Sequence, residues 1–216
     1  MISIVTVSWN SDDFLNLLIE SVERFTESEY EIVVVDNSIK KNPIRKEKVK
    51  YIPTKENIGH GAGLNLGVKH IHPSFPFVLF LDVDTHILTK GWEELLLSKM
   101  SEFDIVGGEG SPAKPIRPAC MFMKRELVNY DWRATEGYEG ERGPVKGYDV
   151  AIKAYYKMRE DKIRIGFLKG SKNRYGTLTG EEWLVKGKPI VYHHWSGTWM
   201  QVRQEKDFPN DDLFAE

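Results

Sequence analysis

Apolar and polar residues follow two kinds of order along this chain. Residues 2–7 (Ile-Ser-Ile-Val-Thr-Val), 31–35 (Glu-Ile-Val-Val-Val) and 77–81 (Phe-Val-Leu-Phe-Leu) are short, nearly unbroken apolar runs. Runs of that length read as strands buried on both faces, the habit of a parallel sheet covered by helices. Between the first two, Phe14, Leu17, Leu18, Ser21, Val22 and Phe25 recur at helical spacing. Asn10, Ser11 or Asp12 can cap that helix. Strand, helix and strand make a βαβ unit. Further short strands are expected at 49–52, 103–108, 119–126, 164–168 and 189–194, and helices at 63–70, 91–97 and from 147 onward. The stretches 39–50, 110–118, 131–147 and 169–179 are polar or rich in Pro and Gly and read as loops. The expected fold class is α/β: one domain, a mostly parallel Rossmann-like sheet, and flanking helices.

Each apolar run ends in residues that can do chemistry. The third ends in Asp82-Val83-Asp84, and ligands of open α/β sheets bind at the carboxyl ends of strands. On an extended backbone the two carboxylates point to one side and can converge on one hard cation or one polar ligand. The competing reading is a pair of ordinary turn residues; two unpaired acids beside an apolar run are costly, which weighs against it. The second run ends in Asp36-Asn37-Ser38, where such folds often bind a ribose or base; a loop cap is the plainer alternative. Residues 57–67 carry glycine at 59, 61, 63 and 67. They lack the Gly-Lys-Ser/Thr ending of a phosphate loop and do not follow strand one, as a dinucleotide fingerprint must. Taken alone they read as a helix start with small residues for close packing.

Composition narrows the class. With 216 residues, one domain with a real core fits, and 30 basic against 32 acidic residues offer no electrostatic argument for a nucleic-acid partner. A single cysteine, Cys120, excludes an intrachain disulfide framework and reads as core. No apolar stretch reaches the roughly 18 residues of a membrane span, and the N-terminus has no basic segment before its apolar run. The expected setting is cytoplasmic, with peripheral attachment to a membrane and a homodimer both left open.

Four features occur in one order: Ser8-Trp9-Asn10 after strand one, Val33-Val34-Val35-Asp36-Asn37-Ser38, the Asn57-x-Gly59-x-Gly61-x-Gly63-x-Asn65-x-Gly67 loop, and Asp82-x-Asp84. Together they resemble the GT-A fold of the family 2 glycosyltransferases. The resemblance implies transfer of a sugar from a nucleotide-sugar to an acceptor hydroxyl, with Mn²⁺ or Mg²⁺ on the diphosphate. It implies Asp84 as metal ligand, with Asp82 on the ribose side or in the metal's water shell. Asp36 would bind the base. Thr6, Val7, Ser8, Asn10, Ser38, Asn57, Gly61, Asn65 and Val83 would complete the nucleotide-sugar site. It divides the chain into a sugar-donor half (1–100), an acceptor and catalytic half (101–200) and a tail (201–216). Many relatives carry Arg near position 64, where this chain has Leu64. The acceptor class, whether glycan, lipid-linked or small molecule, is not legible.

The resemblance also implies a general base at a helix start, matched by Asp149, with Tyr148 where relatives have Glu. Inversion needs only one carboxylate to take the acceptor proton, because a metal stabilises the leaving diphosphate. A helix N-cap is the alternative for Asp149, and Glu139 and Glu141 are its substitutes as base. Lys172 and Arg174 are candidate phosphate contacts. A late histidine often completes the metal shell of such enzymes. His193 or His194 fits, with Thr198 beyond, and strand alternation allows only one of the two. Two other readings stand beside this one. Residues 80–85 also resemble the first motif of haloacid-dehalogenase-type phosphatases, with Asp82 as nucleophile and Asp84 as acid/base. A non-catalytic sugar-nucleotide or glycan-binding module would explain Leu64 and Tyr148.

Overall fold

The computed structural model describes residues 1–111, 114–133, 139–140, 143–144, 150–175 and 178–194. Strand β1 (Ile2–Ser8) is buried at every position. Helix α1 (Asp12–Phe25) returns the chain to β2 (Tyr30–Asp36), which runs parallel to β1 from Ile2↔Tyr30 to Ser8↔Asp36. β3 (Val49–Pro53) lies parallel outside β2. Helix α2 (His60–Gly67), continued by a 3-10 turn at Val68–His70, leads to β4 (Phe77–Leu81) on the other side of β1. There follow β5 (Thr85–Ile87), α3 (Trp92–Leu97), β6 (Ile105–Ser111) and β7 (Lys114–Lys124). Beyond a 3-10 turn at Arg125–Asn129, β8 (Glu139–Gly140) and β9 (Gly143–Pro144) pair with each other. Helix α4 (Ile152–Glu160) precedes β10 (Ile165–Tyr175), β11 (Leu178–Val185) and β12 (Lys188–His194). The main sheet runs β3-β2-β1-β4-β7-β6-β10-β11-β12-β5. No helix among the described residues is long and apolar enough to cross a membrane.

The apolar runs are buried on both faces, as their composition predicts. Ile2 and Ile4, with Leu79 and Leu81, pack against Phe14, Leu15, Leu18 and Val22 of α1. Val5 and Val7, with Val78 and Phe80, pack on the opposite face with Leu64, Trp132 and Met158. Leu64 is therefore a core residue, which explains why no basic side chain stands there. Cys120 is buried as well, and burial pushes its thiol pKa up, as a core cysteine requires.

The sheet departs from the expected mostly parallel arrangement. β3, β2, β1 and β4 are parallel, as are β6 and β10. The pairs β4/β7, β6/β7, β10/β11, β11/β12 and β12/β5 are antiparallel. For the consecutive strands β6/β7, β10/β11 and β11/β12 the reason is connection length: a parallel partner needs a crossover of a dozen or more residues, and these neighbours have only short connections. Two expected loops are strands. Residues 114–118 belong to β7, and 169–175 extend β10 into a hairpin with β11. Pro118 is tolerated because the β6/β7 pairing shifts there, jumping from Gly107↔Met121 to Gly108↔Arg117. Helix α2 starts at His60, three residues earlier than the periodicity suggests.

The glycines of α2 face protein. A Cβ on Gly63 would lie 2.7 Å from Val7 Cγ1, and one on Gly67 2.5 Å from Val5 Cγ1. The helix backbone thus lies directly on β1. Elsewhere in the core, His194 Nε2 and His86 Nδ1 face each other at 3.1 Å. One nitrogen must donate and the other accept, so this contact forms with both rings neutral. Burial lowers the His86 pKa from 6.5 to about 4; burial and the neighbouring His86 lower that of His194 to about 3.

Two outcomes follow. Gly67→Ala should gain about 1 kcal/mol of helix propensity but lose about 1–3 kcal/mol to overpacking against Val5. Thermal unfolding should therefore show a lower Tm; an unchanged or higher Tm would mean that α2 can lift off β1. Second, the unfolded chain binds protons at His86 and His194 below pH 6.5 while the folded chain does not until about pH 4 and about pH 3. Stability should fall as pH drops through that window. In His86→Gln, whose amide can partner His194 without titrating, urea midpoints should fall less steeply; a slope equal to wild type would remove His86 from the effect.

Candidate functional site

The neighbouring parallel strands β2, β1 and β4 bring their carboxyl ends to one edge of the sheet, and the end of β12 meets the chain there at Asp84. The chain leaves β4 at Leu81 and turns at once. Thr85 donates to the Asp82 carbonyl from its backbone N–H (3.0 Å) and its hydroxyl (2.6 Å). Asp82 and Asp84 therefore converge through a tight turn, and the extended geometry expected for them is corrected. They are turn residues, and their side chains converge. Two distant strands brace the turn: the Asp82 N–H donates to the Ala119 carbonyl of β7 (3.2 Å), and the His194 N–H to the Asp84 carbonyl (2.9 Å). The β12/β5 register sets His193 opposite Thr85.

That register brings His193 to the acids. Its Nε2 is 3.5 Å from Asp84 Oδ1. One ligand atom from each of Asp82, Asp84 and His193 lies within 4.8 Å of the others. Ligands of one octahedral Mg²⁺ or Mn²⁺, at about 2.1 Å from the ion, stand roughly 3–4 Å apart. Two carboxylates and one imidazole fit such an ion in both spacing and chemistry. Burial pulls the His193 pKa down, but the bond to Asp84 and the charges of Asp84 and Asp82 prevail, and it ends above 6.5. The Trp183 ring stacks on the His193 ring at 5.5 Å and limits its movement. His194 points the other way, to His86, so the structure does not bring it into the cluster.

At the nucleotide end, Asp36 Oδ1 accepts from the Ser38 N–H (2.8 Å), and its other oxygen accepts from the Tyr51 hydroxyl. Burial and that bond raise the Tyr51 pKa. Ser38 Oγ accepts from the Asn10 N–H (2.7 Å), at a residue with φ 51°. Asp36, Ser38 and Asn10 thus form one interlocked rim. The hydroxyls of Thr6 and Ser8 are buried without a hydrogen-bond partner among the described residues. Val7 and Val83 have core side chains, which leaves only their backbones for a ligand.

The glycine loop is occupied by protein. A Cβ on Gly61 would lie 2.3 Å from the Trp132 carbonyl oxygen, so Gly61 serves close packing there. The Asn65 amide donates to Asp131 (2.9 Å) and accepts from the Trp132 N–H (3.1 Å), tying α2 to that segment. Asn57 Oδ1 accepts from the Gly59 N–H at 2.9 Å. Two groups near the cluster are missed by the sequence reading. His60 Nε2 stands 3.3 Å from Asp82 Oδ1. Arg117 pairs with Glu181 (2.9 Å), the residue opposite His193 on β11, and its charge bears on His193. Neither carries a motif; only strand register and helix placement reveal them. Asp149, Tyr148, Glu141, Thr198 and the 201–216 tail lie outside the described residues, as do the side chains of Glu139 and Arg174. Lys172 lies on β10 opposite Glu181.

The sequence model of Glycosyl transferase family 2 matches residues 3–112, slightly more than half of the chain. No curated protein sequence matches it. Among solved structures, it is similar to S. aureus TarS 1-349 in complex with UDP-GlcNAc. The TM-score is 0.57 at 15% identity, covering 100% of this chain and 61% of that one. It is also similar to the mannosyltransferase PcManGT from Pyrobaculum calidifontis in complex with GDP-Man and Mn²⁺. There the TM-score is 0.53 at 13% identity, covering 77% of this chain and 54% of that one. The chain thus spans less than two thirds of either protein, and at these identities the likeness concerns the fold, which is GT-A. The phosphatase reading of residues 80–85 loses its support, because the family match embraces the whole βαβ unit before them. The order of strand-end motifs, the Asp82–Asp84–His193 cluster and the family match agree: this chain belongs to glycosyl transferase family 2.

Proposed function

We propose that the protein transfers a sugar from a nucleotide-sugar to an acceptor hydroxyl with inversion, assisted by Mn²⁺ or Mg²⁺. The observation that carries this is the Asp82–Asp84–His193 cluster at the end of β4 in a family 2 chain. Asp84, His193 and Asp82 would hold the ion. When bound, the cation supplies charge neutralisation for the departing diphosphate. Asp36 and Ser38 receive the base and ribose, together with the Thr6 and Ser8 hydroxyls, whose lack of protein partners supports a polar ligand there. Arg117 offers the basic contact that Leu64 does not.

Asp149 is assigned as general base. In the transfer the acceptor oxygen bonds to the anomeric carbon while the bond from that carbon to the phosphate oxygen breaks. The electron pair leaves with the nucleoside diphosphate, and the acceptor proton goes to the Asp149 carboxylate. Residues 1–100 bind the sugar donor and 101–200 the acceptor. A cytoplasmic setting belongs to the same proposal.

Calorimetric titration with UDP-, GDP- and dTDP-sugars, in Mn²⁺ and in EDTA, tests the first half. One nucleotide should bind only with metal, and Asp84→Ala should abolish that binding; equal binding by the variant would remove Asp84 from the metal shell. Asp149→Asn should bind the sugar donor normally and slow transfer by about 10²–10⁴-fold, the usual worth of a general base. Normal turnover in that variant would pass the role to Glu139 or Glu141.

A further inference from the structure

Asp36 ends β2, and protein donors reach each of its oxygens. Its carbonyl accepts from the Thr54 N–H (3.0 Å), the Thr54 hydroxyl (3.0 Å) and Lys41 Nζ (2.7 Å). Its Oδ1 accepts from the Ser38 N–H, and Ser38 Oγ in turn accepts from the Asn10 N–H. The other carboxylate oxygen, Oδ2, accepts from the Tyr51 hydroxyl. Strand register explains how Tyr51 reaches it. β3 lies parallel to β2 with Tyr51 beside Val34, and Asp36 follows Val34 by two residues, on the same face. The Tyr51 ring packs against the core that α1 covers, which fixes where its hydroxyl stands. Burial and the bond to Asp36 raise the Tyr51 pKa, so the phenol stays protonated and donates.

The two donors to the carboxylate are a backbone N–H and a phenol. Both are neutral, so they orient the acid without cancelling its charge. An ionised carboxylate has about four acceptor positions. Protein fills one on each oxygen, and the others can accept from a ligand. A charged group that only accepts suits a base with an N–H in its ring, as uracil, thymine and guanine have. A carboxylate held from one oxygen alone could turn about its Cβ–Cγ bond and lose that aim. The second tether comes from Tyr51, on a different strand.

We infer that Tyr51 is a positioning residue for base recognition: its hydroxyl fixes the Asp36 carboxylate, so that the acid presents its open acceptor positions to the ring N–H of uracil, thymine or guanine. This rests on the reading of Asp36 as the base contact. The experiment is calorimetric titration of the full chain with UDP, GDP and dTDP in Mn²⁺, with a parallel titration of Mn²⁺ alone and a Tm for each variant. Tyr51→Phe keeps the packed ring and loses only the hydroxyl. It should bind the preferred nucleotide about tenfold more weakly, the worth of one hydrogen bond to a charged group, and bind Mn²⁺ alone as wild type does. Wild-type nucleotide affinity in Tyr51→Phe overturns the inference. So does an equal loss of Mn²⁺ affinity, which would mean that the hydroxyl supports the fold at large and not one carboxylate. Asp36→Asn separates the two levels. If it weakens nucleotide binding while Tyr51→Phe does not, only the role of Tyr51 falls. If it binds as wild type, or if wild type binds none of the three nucleotides, the base-contact reading falls and this inference with it.

Discussion

The site depends on one braced turn. Asp82 to Thr85 would be an ordinary exit from a strand if nothing held it. It is held by β7 through Ala119 and by β12 through His194, strands that lie far from it along the chain. Closing such long loops carries an entropic cost. Burial of Ile87, Ile190, Val191 and Tyr192, each fully enclosed, offsets it. The apolar residues of β5 and β12 therefore have a chemical consequence. They keep His193 opposite Thr85 and its ring beside Asp84.

Charge is arranged around that turn in two tiers. Asp84 and His193 lie in the enclosed tier, where Coulomb interactions are strong; the hydrogen bond between them raises the His193 pKa against the pull of burial. Asp82 and His60 lie in the open tier, reachable by a ligand. Behind both, His86 and His194 form a neutral pair that belongs to the core. Two adjacent histidines at the end of one strand thus have opposite characters, because strand alternation sends one ring to the acids and the other to the interior.

Helix α2 connects the packing of the sheet to the chemistry at its edge. Its glycines allow backbone to lie on Val5 and Val7, and the same closeness delivers His60 to Asp82. A single structural device serves stability and site geometry together, which is why a glycine-rich segment here need not touch a phosphate.

Much of this was legible in the residues themselves. The Val and Ile runs determined the buried parallel strands, because a segment apolar at every position must be covered on both faces. The polar ends of those runs located the site, and their order carried the family resemblance. The periodicity of 12–25 determined α1. Tertiary structure alone decided the antiparallel half: a Pro-containing stretch such as 114–118 becomes a strand only because β6 offers a partner and a register shift accommodates Pro118. It alone put His193, and not His194, beside the acids, since the β5/β12 register is set by burial across about a hundred residues of intervening chain and not by local preference. It alone brought in His60, Arg117 and Glu181, because no spacing in the sequence encodes which side chains meet where a helix start and four strands converge.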